Sequence, residues 1–169
     1  MKSLHPDSAN PAGSADSAPP RTGIVVDIPT QTLRLEGEGL TPETFSISTS
    51  KFGIGTEPGS CRTPLGRFEI AEKIGQGQPA GMRYQSRIPT GEILDQGGEE
   101  DHVLTRILWL SGLEAENANT RGRYIYIHGT NQEALLGAPA SHGCIRMRNA
   151  DILRLFDAVA QGTPVQILA

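Results

Sequence analysis

No apolar run in this 169-residue chain approaches the ~20 residues that a membrane-spanning helix needs. The opening stretch, MKSLHPDSANPAGSADSAPP, has one early lysine but no apolar core of a secretory signal. These absences predict a cytoplasmic protein with no membrane partner, or a periplasmic one if a leader has been removed. The formal net charge is −4 and the arginines form no basic stripe, which argues against nucleic acid as a partner. Cysteine is scarce too. Cys61 and Cys144 stand alone, too few for a disulfide framework or a paired CxxC zinc site. In a reducing compartment both stay thiols, so at least one free thiol needs a reason. No internal repeat is visible.

What the chain has in quantity is turn-forming residues: 20 glycines and 12 prolines, which favour many short strands over long helices. Residues 1–21, rich in Ser, Ala, Pro, Asn and Asp, read as a disordered tail. A single domain over 22–169 follows. Alternating apolar residues predict strands at 22–28, 31–36, 43–49, 67–74, 102–110 and 123–128, with a last strand in PVQIL. The glycine-marked connection 75–101 reads as a functional loop or lid, with room for a hairpin around MRYQSRI. One helix is predicted over NADILRLFDAVA: Asn149 is its expected cap, and Ile152, Leu155, Phe156 and Val159 form one apolar stripe. The expected class is mainly β, with one C-terminal helix before the last strand.

Reactive side chains concentrate between residues 128 and 146. The run RYIYIH ends at His128, and after a loop comes Ser141-His142-Gly143-Cys144. A free thiol is only a few per cent thiolate at neutral pH. A nearby imidazole can take its proton and hold the ion pair. A glycine beside the nucleophile lets successive N–H groups face one spot, as an oxyanion hole requires; Gly143 and Cys144 are the natural donors, with His142 a third. Two other readings stay open on the residues alone. Cys144 would serve as a small buried side chain, with His128 bonded to backbone. His102, His128, His142 and Cys144 also offer ligand types that zinc accepts, although no usual spacing completes the set.

The segment IHGT…LGAPASHGCIRM (127–147) closely resembles the signature of the L,D-transpeptidase catalytic domain, the YkuD-like domain of peptidoglycan enzymes. VVDIPTQTLRL is similar to that family's opening hairpin, TPLGRFEI (63–70) to its Thr-Pro-x-Gly-x-Phe stretch, and the final helix and GTPVQIL to its tail. The resemblance spans residues 22–168. It implies a β-sandwich-like domain of mixed sheets and a cysteine acyl-transfer enzyme without metal or cofactor. Cys144 matches the nucleophile, His128 the general base, and the carbonyl of Gly129 the group that orients the imidazole. Ser141, His142 and Gly143 match the loop before the nucleophile. Arg146 stands where many members carry asparagine. It is expected either to bind a substrate carboxylate or to pair with Asp151 or Glu133.

The chemistry so implied is attack of Cys144 on a peptidoglycan stem tetrapeptide ending in D-alanine, with loss of D-alanine and formation of a thioester. Release by water gives a tripeptide; release by an amine gives a cross-link. Without a visible leader or wall-binding repeat, the expectation is an L,D-carboxypeptidase acting on soluble turnover products in wall recycling. The alternative is an L,D-transpeptidase. Within the lid, Met82, Arg83, Tyr84 and Arg87 are expected to close over the stem peptide, and Arg106 and Arg123 are further candidates for its carboxylates. Cys61 reads as an incidental thiol, or as a redox partner of Cys144 if the fold brings the two together.

Overall fold

The computed structural model describes residues 21–169, so all of the expected tail but its last residue lies outside the described residues. Ten strands and one helix follow in order. They are β1 (Thr22–Asp27), β2 (Thr32–Gly37), β3 (Glu43–Ser48), β4 (Gly66–Ile74), β5 (Met82–Gln85), β6 (Ile88–Ile93), β7 (Val103–Gly112), β8 (Tyr126–Gly129), β9 (Ile145–Met147), α1 (Asn149–Ala158) and β10 (Pro164–Leu168). Period-2 alternation accounts for most of them. Ile24 and Val26 of β1, and Leu33 and Leu35 of β2, turn one face inward while Arg34 and Glu36 pair outside at 2.7 Å.

The strands run in the order β4-β10-β1-β2-β3-β9-β8-β7, and β7 pairs again with β4. Eight strands therefore close into a barrel-like sheet, where a β-sandwich-like domain of mixed sheets was expected. The cause is the length of β7. Its ten residues reach both β8 and β4, so the ladder is continuous and no free edge remains between two layers. Two pairings, β1–β10 and β8–β9, are parallel. The β5–β6 hairpin hangs from the first residues of β7. Its turn residues Ser86 and Arg87 both take left-handed φ (49° and 67°), the backbone of a tight two-residue hairpin turn.

Helix α1 packs Ile152, Leu155 and Phe156 into the same core as Phe68, Ile70, Leu108, Ile127 and Ile145. It ends at Ala158, two residues short of the sequence expectation, and Lys73 from β4 donates to the free carbonyls of Phe156 and Val159, each at 2.6 Å. Asn149 is not the cap. It is the first helical residue, and its N–H is taken by the Glu133 carboxylate at 2.7 Å. Strand β9 was not expected from the sequence. Ile145-Arg146-Met147 is too short to show alternation, and forms because both β3 and β8 offer it ladder bonds. Among the described residues, no helix is long and apolar enough to cross a membrane.

Candidate active site

Strands β8 and β9 set the site by register. Ile127 faces Ile145 and His128 faces Arg146 in a parallel pair, and one step back sets Tyr126 beside Cys144. Ile127, Ile145 and Met147 point into the barrel core. Alternation therefore sends Tyr126, His128, Cys144 and Arg146 to the opposite, outer face. His128 and Cys144 are diagonal neighbours there. Both line a cleft of about 430 Å³ with Glu99, Glu100, Asp101, Val103 and His142.

The imidazole is held in one tautomer. Its Nδ1 lies 2.6 Å from the carbonyl of Gly129, which can only accept, so Nδ1 carries the proton and Nε2 is left as a base. Residue 129 must be glycine for this to hold. A side chain there would collide with the Leu104 carbonyl and with Asn149. Asn149 in turn donates to the Thr130 carbonyl (2.8 Å) and accepts from Thr105 (2.5 Å), fixing the backbone that follows the histidine.

The thiol of Cys144 sits between two backbone groups of the preceding strand region. Its Sγ accepts from the N–H of Tyr126 at 3.3 Å and lies 3.4 Å from the carbonyl of Tyr124. Burial pushes the thiol up to about 12; the Tyr126 N–H works against that, and the Asp101 carboxylate with it. Burial also holds His128 below the usual imidazole value, opposed by Asp101 and the Gly129 carbonyl and assisted by Arg146. Both shifts favour neutral groups. Both thus point toward thiol and imidazole rather than the ion pair that an imidazole beside a thiol can hold.

Gly143 adopts φ +122°, which side-chain-bearing residues rarely take, and a Cβ added there would lie 3.4–3.5 Å from the carbonyls of Cys61 and Arg62 and the Ile125 side chain. Ser141 organises the turn: its hydroxyl donates to the Cys144 carbonyl (2.6 Å) and accepts from the Gly143 N–H (3.3 Å). Thr63, the first residue of TPLGRFEI, donates to the Gly143 carbonyl at 3.0 Å. The Gly143 N–H is therefore engaged inside the loop. Among the described residues, the N–H groups of His142 and Cys144 carry no hydrogen bond outside the sheet ladder, which makes these two the candidate oxyanion donors. The ring of His142 packs 5.6 Å from that of Phe52.

Arg146 does neither of the things expected of it. It is fully buried, paired with Asp101 at 3.1 Å, and bonded to Gln132 (2.8 Å) and Ser48 (3.2 Å); Asp151 and Glu133 are not its partners. Its guanidinium ties the acidic stretch that rims the cleft to strand β9. Arg83 is bonded to Glu92 within the hairpin at 2.6 Å, and Tyr84 is buried with its hydroxyl 3.3 Å from the Thr105 carbonyl. Neither lines the cleft with Cys144. Arg106 and Arg123 are spent on backbone carbonyls: Arg106 on Gln78 and Thr105, Arg123 on Gly55 and Arg62. Both cysteines are free, and the Cys61 thiol turns toward the Gly59 carbonyl. The four residues weighed as zinc ligands do not converge: among the described residues no group of three His, Cys, Asp or Glu is arranged to hold a metal, and His102 lies beside Glu100 at 3.7 Å.

Asp101, Thr63, Tyr126 and Asn149 were not singled out from the sequence as parts of the site. Thr63 lay inside a recognised segment. Asp101 is the last residue of the connection read as a lid, and its role depends on a partner 45 residues away.

The L,D-transpeptidase catalytic domain model (YkuD) matches residues 21–167. The chain belongs to that family. Its members are cysteine acyl-transfer enzymes of peptidoglycan metabolism. The protein named L,D-transpeptidase YkuD of Bacillus subtilis is 30% identical over 144 residues, covering 85% of this chain and 64% of that one. YcfS of Escherichia coli, also named as an L,D-transpeptidase, is 29% identical over 179 residues, covering 95% of this chain and 53% of its own. The fold matches a solved L,D-transpeptidase of Mycobacterium smegmatis with a TM-score of 0.59 at 20% identity, over 89% of this chain and 59% of that one. This family member therefore spans 64% or less of the length of those relatives.

Proposed function

We propose that this family member transfers the acyl group of a peptidoglycan stem tetrapeptide through a thioester on Cys144. The observation that carries the reading is the outer face of β8 and β9: a nucleophile, and diagonal to it an imidazole whose tautomer leaves Nε2 unprotonated. As Sγ attacks the carbonyl before the terminal D-alanine, the thiol proton passes to His128 Nε2. The N–H groups of His142 and Cys144 receive the oxyanion. Collapse breaks the C–N bond, the His128 proton leaves on the D-alanine amine, and the thioester remains. A neutral resting pair suits this sequence, since charge appears only as the bond forms.

The acceptor that the cleft favours is an amine. Glu99, Glu100 and Asp101 rim it, and Asp101 alone is neutralised, by Arg146. Such a rim concentrates ammonium groups near the thioester and is indifferent to water. Names of the relatives agree with cross-link formation. The hydrolytic outcome expected from the sequence, trimming to a tripeptide, shares every step up to the thioester and competes at the last. Incubation with a soluble tetrapeptide and reading of product masses separates them. Cross-linked dimers as the main product support the proposal; tripeptide alone replaces it by carboxypeptidation. LdtMt1 was solved in complex with imipenem, so a covalent imipenem adduct on this chain, absent in Cys144→Ala, gives a second readout of the same thiol.

A further inference from the structure

Five arginines were candidates for a substrate carboxylate, and four are occupied: Arg83 by Glu92, Arg146 by Asp101, and Arg106 and Arg123 by backbone carbonyls. Arg87 differs. Among the described residues it makes no ion pair, and its one hydrogen bond goes to the Tyr126 hydroxyl at 3.1 Å. Four of its five N–H donors are left over. What holds it is aromatic: its guanidinium lies 4.6 Å from the Trp109 ring centre and 5.0 Å from that of Tyr124.

The platform beneath it is built in. Trp109 and Tyr124 stack at 5.9 Å, Tyr126 meets Trp109 edge-on at 5.8 Å, and the indole N–H is fixed to the Arg121 carbonyl at 3.1 Å. Arg121 also lies over Trp109 but is paired with Glu72 at 3.3 Å. The tight Ser86–Arg87 turn delivers the side chain from above. This platform touches the nucleophile directly. Tyr126, whose hydroxyl holds Arg87, gives its N–H to Cys144 Sγ, and the Tyr124 carbonyl lies against the same sulfur. Arg87 thus stands one tyrosine side chain from the thiol.

From this we infer that Arg87, stacked on Trp109 and Tyr124 and one tyrosine from Cys144, binds a carboxylate of the donor peptide and sets specificity for it. The inference rests on the acyl-transfer reading above and names the group that orients its donor. A guanidinium held over two aromatic rings has lost much of its freedom to swing, and keeps N–H donors for a planar anion. Two kinds of charge are thereby set around the nucleophile: the Arg87 cation held by the Tyr126 hydroxyl, and the carboxylates of Glu99, Glu100 and Asp101 that line the cleft. Two carboxylates of a stem tetrapeptide share this chemistry, the terminal one and that of a diacid side chain at position three.

The test compares wild type, Arg87→Gln and Arg87→Lys in two assays. In the first, Cys144 is alkylated with iodoacetate, an anion, and with neutral iodoacetamide. Arg87→Gln is expected to lower the iodoacetate rate severalfold and leave the iodoacetamide rate within about twofold, which also shows the site intact. In the second, acylation is followed with tetrapeptide acid, with its C-terminal amide, and with the position-three side-chain amide. Arg87→Gln is expected to cut kcat/KM on the acid about ten- to hundredfold, mainly through KM, and Arg87→Lys to restore part of it. The penalty vanishes on whichever amide removes the carboxylate that Arg87 holds. Equal losses on acid and both amides, or equal losses with both alkylating reagents, mean a structural role and overturn the inference. No loss on any substrate overturns it too. If wild type is acylated by none of the peptides, the acyl-transfer reading fails, while the alkylation ratio still reports whether Arg87 attracts a carboxylate.

Discussion

At Cys144 and His128 burial raises one value and lowers the other, and both changes remove charge from the resting site. Reactivity should show it. An exposed thiol alkylates at a rate that levels off above about pH 9, and a thiolate–imidazolium pair gives a rate already flat from about pH 6. With the Cys144 thiol pushed up to about 12, alkylation by iodoacetamide is expected to keep climbing through pH 10; a plateau at neutral pH would show an ion pair instead. For His128 the sign is that of a base kept neutral by folding. The unfolded chain binds the proton more readily, so the stability this burial favours is present above the ordinary imidazole value of 6.5 and is lost as pH falls below it. Urea unfolding midpoints that drop below pH 6.5 in wild type, and drop less in His128→Gln, check this. Arg146 carries a second prediction at this scale. Removing one member of a buried pair leaves the other uncompensated, and Asp101 is only 20% exposed at its side chain, so Arg146→Met should cost about 3 kcal/mol in chemical denaturation. Asp101→Asn added to it should recover part, a positive coupling; additive losses would show that the two do not interact.

Among the elements, the rim of the cleft is held by amide side chains more than by regular structure. Asn131 accepts the His102 N–H at 2.8 Å and donates to the carbonyls of Gly97 and Glu100, also at 2.8 Å, while Gln132 reaches Gly98 and Glu99. Asn131→Ala should speed amide hydrogen exchange at His102 by an order of magnitude or so and leave Ile127 in β8 unchanged. Exchange at both would mean global loosening. In β7, Thr105 takes φ +73°, rare for a β-branched residue, at a register shift. Its hydroxyl accepts from Gly81 and donates to Asn149, so one distorted residue joins the hairpin base to the segment behind His128. Nothing in HVLTRILWL announces that bulge, because its cause lies in partners far along the chain. The same holds for Tyr124, whose left-handed φ of 58° delays β8 to Tyr126 within the unbroken alternation of RYIYIH. Where a strand depends on its own pattern, as in β1, β2 and β4, the sequence was legible. Where long-range ladder bonds decide, as in β9, it was not.

For the whole molecule, the alternation of strands and the helix stripe defined a mainly β domain, but could not say how the sheet ends meet. Closure follows from β7 serving both β8 and β4, a property of register and length that no local window contains. The closed sheet makes one shared core, so a cavity at its helix cap weakens everything at once. Phe156 is 1% exposed against strands of that core, and Phe156→Ala should cost about 3–5 kcal/mol with a single cooperative transition retained. The proposed catalytic pair was legible because family resemblance marked His128 and Cys144 together. Its supports were not: Asp101, Thr63 and Tyr126 acquire meaning only once the barrel brings them to one outer face. Arg146 was visible yet misassigned, since a chain of letters does not show that a charged residue is buried.

The central claim is a thioester on Cys144, and intact-protein mass spectrometry after brief exposure to a stem tetrapeptide tests it most directly. Wild type should gain the mass of the tripeptide acyl group, the tetrapeptide less D-alanine, in a form released by hydroxylamine, and Cys144→Ala should gain nothing. An unmodified wild type, or the same adduct on Cys144→Ala, would contradict the account.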